Sequence, residues 1–176
     1  METDIKDQQQ NCSTNEENDR ILPKKLINPT DLAKQIWQDV WSVSGATPEN
    51  CLYTFVELFI FKYLSDLKIL QGTYNFYTLL RMYEEGNEPN RVLQHYANII
   101  RPQIKELFPE NALDKTTLIN GSIFISKEQK AVDGYGTVFK KVLQKFRDYG
   151  KLEHVDHDFK SKLFESFLKE SISKKN

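Results

Sequence analysis

From Leu52 to Leu64, ten of thirteen residues are apolar or aromatic. A helix that is apolar nearly all round its axis has to be buried on several sides. Thr47-Pro48-Glu49 stands just before it, a capping side chain followed by proline at the first helical position. The segment is therefore predicted to be the central helix, with the remaining elements packed around it. Glu57, Lys62, Asp66 and Lys68 interrupt the run, which is too charged and too short to span a bilayer.

The other elements follow from periodicity. A first helix is expected from Thr30 to about Gly45, with Leu32, Ile36, Trp37, Val40 and Trp41 as its inward stripe. A third, about Tyr74–Glu85, lies between Gly72 and Gly86, and its Tyr74, Phe76, Tyr77 and Tyr83 suit either core or a partner surface. A fourth starts at Pro89 and turns Val92, Leu93, Tyr96, Ala97 and Ile100 inward. Pro102 should kink it or restart it as a short helix to Phe108. The stretch Leu118–Ile125, broken by Gly121, supports at most a small hairpin or an extended loop. Helices return at about Tyr135–Tyr149 and Asp158–Ser171. In the last of these Phe159, Leu163, Phe164, Phe167 and Leu168 form one stripe. The expected fold class is all-α, a compact bundle of about six helices with at most one short strand-like hairpin. Residues 1–28 are polar and irregular and are expected to be a disordered tail, with one helical domain over 29–176.

The net charge of -1 argues against a strong overall pull on nucleic acid, but the charge is unevenly spread. Residues 1–126 carry 12 Lys/Arg and 17 Asp/Glu, whereas residues 127–176 carry 12 and 8. A polyanion contact is thus expected toward the C-terminal third. The N-terminus lacks a basic start followed by an apolar run, so a cytoplasmic location is expected. Cys12 and Cys51 are too few for a disulfide framework and are read as reduced thiols.

The best binding candidate is the basic helix at Tyr135–Tyr149. Tyr135, Val138, Phe139, Val142, Leu143, Phe146 and Tyr149 make its inward face, and Lys140, Lys141, Lys145 and Arg147 sit on the other, a solvent-facing sector suited to backbone phosphates. Other motifs point to bland roles. Gly134-Tyr135-Gly136 lacks the preceding strand and further glycines of a phosphate loop and reads as a helix-start turn. His154, Asp156, His157 and Asp158 cluster like metal ligands, yet Asp156 reads better as the cap of the last helix. No nucleophile sits in a catalytic setting.

Three segments carry a resemblance to a known family. One runs from Ile36-Trp37 to Phe61-Lys62-Tyr63-Leu64-Ser65-Asp66. Another is Ile119-Asn120-Gly121-Ser122 followed by Gly136-Thr137-Val138-Phe139. The third, and most specific, is Phe159 to Asn176. Together they resemble the N-terminal helical domain of the modification subunit of type I restriction-modification systems, over about residues 32–176. The resemblance implies a whole enzyme that methylates adenine N6 with S-adenosylmethionine, working with a specificity subunit and a restriction subunit on DNA. It implies that the helical domain helps embrace DNA and contacts those subunits. The family's cofactor motif and its Asn-Pro-Pro-Phe/Tyr catalytic motif match nothing in this chain. No catalytic, cofactor or metal residue is therefore expected here, and the segment is expected to end before the catalytic domain. A stand-alone helical interaction module is the alternative.

Overall fold

The computed structural model describes residues 30–152, leaving out the side chains of residue 30 and of residues 39–44. The expected tail at 1–28, the last helix with its Phe159–Leu168 stripe, and the His154–Asp158 cluster lie outside the described residues, as do the Val40 and Trp41 side chains.

Within that range the chain is mostly helical, as its periodicity requires. Helix α1 is Thr30–Ser44, α2 Pro48–Asp66, α3 Phe76–Glu84 and α4 Pro89–His95. After α4 come a π-helical turn at Tyr96–Ile100 and α5 at Arg101–Leu107; α6 is Gly136–Tyr149. A single 3-10 turn, Gly72–Tyr74, precedes α3.

The starts of the helices are set by local chemistry. The Thr47 hydroxyl accepts the Asn50 amide at 3.3 Å, with Pro48 opening α2. The Asn75 side chain accepts the Tyr77 amide at the head of α3, and the Glu88 carboxylate accepts the Asn90 amide at the head of α4. Gly86 takes φ +82 in the turn between them, a conformation that side chains disfavour.

Pro102 neither breaks nor simply kinks its helix. Its ring would collide with a carbonyl one turn back, and it has no amide to donate. The chain answers by widening the preceding turn, Tyr96–Ile100, into a π turn and continuing as α5. Between α5 and α6 the chain is irregular. Its one strand-like feature is a bridge between Ile125 and Ala131, supported by Val132 N–H donating to the Phe124 carbonyl at 2.8 Å.

Helix α2 is buried almost throughout, including Phe55, Leu58, Phe59, Phe61 and Leu64. Helices α1 and α3 pack on it, while α6 lies against α1, α3 and α4. A run of aromatic contacts crosses the core from Phe76 to Phe61, then Tyr96, Phe139 and Phe124, with centroids 5.1–5.6 Å apart. Such pairs add about 0.5–1.5 kcal/mol each beyond area burial.

Burial raises three phenols: Tyr96 well above its ordinary value, where the Glu57 charge adds to the effect, Tyr83 likewise, and Tyr149 up to about 12. A folded-state value above the unfolded one gives stability that is full below about pH 10 and lost as pH rises beyond it. Lys62 acts in the opposite sense. Burial lowers its value, so raising the pH removes a penalty on the folded state. Lys105, also lowered by burial, acts the same way, and the three tyrosines outnumber the two lysines, so the urea midpoint is expected to fall between about pH 9 and pH 11. A midpoint that stays level or rises across that interval would contradict the burial of these phenols.

Candidate functional site

Helix α6 carries the basic residues named from the sequence. Phe139, Val142, Leu143 and Phe146 anchor its inner face. At 100° per residue Lys141 and Lys145 form one row, and Lys140 with Arg147 forms another. Lys141 and Arg147 are exposed, while Lys140 and Lys145 are half-buried. The Lys140 ammonium lies 5.6 Å from the centre of the Tyr83 ring, and Arg147 Nε donates to Asp148 Oδ1 at 3.0 Å. The four cations thus share the outer half of one helix, with Lys140 packed on a ring and Arg147 paired to its neighbour.

Gly136, at the head of α6, packs against backbone. A side-chain carbon on Gly136 would stand 2.3 Å from the Pro89 carbonyl carbon and 2.4 Å from its oxygen, so this glycine faces the α4 backbone. The Tyr83 hydroxyl donates to the Gly136 carbonyl at 2.8 Å, and the Gly136 amide donates to Asn90 Oδ1 at 3.2 Å. Gly134-Tyr135-Gly136 is therefore the helix-start turn expected from its sequence.

Two buried charge networks on α2 were not legible as networks. In the first, Glu57 Oε1 accepts from Arg101 Nε and Nη2 at 3.1 and 3.0 Å and from the Gly121 amide at 3.1 Å. Glu57 Oε2 accepts the Tyr96 hydroxyl at 2.7 Å, and Arg101 Nη2 also reaches the Ile119 carbonyl at 3.1 Å. This network joins α2, the π turn, α5 and the loop before α6.

In the second, Lys62 and Asp66 pair at 2.5 Å with both side chains fully buried. Lys62 Nζ donates to the Gly150 carbonyl at 2.9 Å, while Asp66 accepts the Leu152 amide at 3.0 Å and the Tyr77 hydroxyl at 2.7 Å. The pair clamps the chain leaving α6 against the end of α2. The available signal was a Glu and a Lys inside an otherwise apolar run, because a charge buried there needs a partner.

The α3 region divides its aromatics. Phe76 and Tyr83 are buried, whereas Tyr74 and Tyr77 are exposed. A groove of about 320 Å³ runs along Tyr53, Val56, Lys115, Thr116, Leu118 and Asn120. It holds no pairing of nucleophile and base. Cys51 is a buried thiol outside any disulfide. Among the described residues no three His, Cys, Asp or Glu side chains converge as a metal site, and no helix is long and apolar enough to cross a membrane.

No protein-family model matches the chain, and comparison with characterised proteins and with solved structures gives no match.

Proposed function

We propose that this chain is the N-terminal helical domain of the modification subunit of a type I restriction-modification system. In the whole enzyme that subunit transfers a methyl group from S-adenosylmethionine to adenine N6. The helical domain contributes DNA embrace and contacts with the specificity and restriction subunits, and a cytoplasmic location goes with this role.

The observation that carries the reading is the structural weight of the residues on which the resemblance rests. Lys62, Ser65 and Asp66 of the Phe61–Asp66 segment are buried and bonded. In the next segment Ile119 and Gly121 bind the Glu57–Arg101 network, and Gly136 meets the α4 backbone. These are positions on which packing depends, rather than scattered surface residues. Gly136 faces the α4 backbone and not an open cradle. The alternative, an interaction module without catalysis, draws on the exposed Tyr74 and Tyr77.

Under this reading α6 gives weak, sequence-independent DNA binding, because base readout belongs to another subunit. Phosphate contacts release counterions, so four contacts give a log–log salt slope no steeper than about -4, with micromolar affinity at best. The test is a salt titration of duplex binding by the native chain and by a Lys141→Glu, Lys145→Glu double variant. Lys140 is left in place because its head group packs on Tyr83. Weaker binding and a shallower slope are expected for the variant. Equal binding by both proteins, or none at low salt, would contradict a DNA contact through α6.

A further inference from the structure

Beside the π turn, two cations converge on one neutral oxygen. Arg101 commits Nε and Nη2 to Glu57 and Ile119, which leaves Nη1 to donate to Gln129 Oε1. Lys105 Nζ donates to the same oxygen at 2.7 Å. Glu57, the carboxylate bonded to this cluster, is fully occupied by Arg101, Tyr96 and Gly121. Among the described residues no carboxylate bonds Nη1 or the Lys105 ammonium. Of the two cations only Arg101 is bonded to a carboxylate, Glu110 acts on Lys105 at a distance, and the donors that remain point together at an uncharged amide. Lys105 registers the imbalance, since burial and then the Arg101 charge lower its value, against weaker pulls from Glu57 and Glu110.

An ionised oxygen would satisfy both donors better, because bonds between charged partners are roughly twice as strong as neutral ones. The amide that holds the position is on an accessible element. Gln129 is exposed, at φ +64, in a turn closed by Ser126 N–H donating to the Lys130 carbonyl at 2.8 Å. Swinging its side chain aside gives up its bonds to Arg101, Lys105 and the Lys127 carbonyl. Exposed Lys127 and Lys130 flank it, with Glu128 between them.

We propose that Arg101 and Lys105 form an anion site of the phosphate class, in which Gln129 Oε1 stands where one phosphate oxygen binds. Free phosphate and a nucleic-acid phosphodiester share this chemistry. The site goes beyond the α6 contact and does not depend on it.

The test is calorimetric titration with inorganic phosphate against chloride at equal ionic strength. The native chain is compared with Gln129→Ala, Gln129→Glu and Lys105→Gln. Arg101 is left intact because its loss would strand Glu57. Saturable phosphate binding is expected, maintained or tightened in Gln129→Ala and weakened by about tenfold or more in Lys105→Gln and Gln129→Glu. Gln129→Glu should also raise the thermal midpoint in phosphate-free buffer, since its carboxylate fills the site. No phosphate binding by the native and Gln129→Ala chains, or binding indifferent to Lys105→Gln, would overturn the proposal. A second arm sets phosphate against a short single-stranded oligonucleotide. Competition assigns the site to backbone phosphates, and phosphate binding without competition assigns it to the free anion. The phosphate arm contains no DNA, so its failure is separable from failure of the α6 contact.

Discussion

Glu57→Ala is expected to destabilise the fold by about 3–5 kcal/mol, a large part of the stability of a domain this size. The substitution leaves Arg101, 3% exposed, without its carboxylate. It also strips partners from the Tyr96 hydroxyl and the Gly121 amide, both within 3.1 Å of Glu57. Breaking a buried pair from one side costs more than the pair contributes, because the remaining charge keeps its desolvation penalty. Glu57→Gln should lose less, since an amide oxygen still accepts from Arg101. Urea unfolding measures both. A loss under about 1 kcal/mol for Glu57→Ala would mean that Arg101 is solvated and the network open.

Gly136→Ala is the second large effect, expected at about 3 kcal/mol or more, the upper end for overpacking. The added carbon meets the Pro89 carbonyl carbon at 2.3 Å, its oxygen at 2.4 Å and the Asn90 nitrogen at 2.5 Å. All three are backbone atoms, so no rotamer change relieves the contact. Helices α4 and α6 must separate, which also pulls on the Tyr83 bond to the Gly136 carbonyl. Gly134 provides the internal comparison. It has φ +82 and nothing within 4 Å of an added carbon, so Gly134→Ala meets only backbone strain of about 1–2 kcal/mol. Equal losses at the two glycines, or a larger loss at Gly134, would contradict the close approach of α4 and α6.

These residues mark how far the sequence could be read. The hydrophobic period located the central helix and the inward faces of α4 and α6, and residue type located the cap at Thr47 and the helix start at Pro89, because each depends on neighbours along the chain. Val92, Leu93, Tyr96, Ala97 and Ile100 are all buried as their spacing required. The partnering of Glu57 was not legible, because Arg101 is 44 positions away and Gly121 is 64. Only the folded chain brings them together. Lys62 and Asp66 stand four residues apart, where helix side chains meet, but their hold on Gly150 and Leu152 again needed the fold. Pro102 announced a kink or a short helix to Phe108, and α5 is that short helix, but the π turn before it was not legible. For the binding candidates, Lys140, Lys141, Lys145 and Arg147 were visible as solvent-facing cations on an amphipathic helix. Arg101, Lys105 and Gln129 were not visible, because their convergence spans two elements.

Methyl transfer by the whole protein tests the proposed role most directly. The complete product of the reading frame, purified with its specificity subunit, is incubated with duplex DNA and S-adenosylmethionine carrying a labelled methyl group. The expected result is label on adenine N6 with the whole complex and none with the 176-residue chain alone. A reading frame with no Asn-Pro-Pro segment, or a whole protein that assembles with its partner and leaves DNA unlabelled, would contradict it.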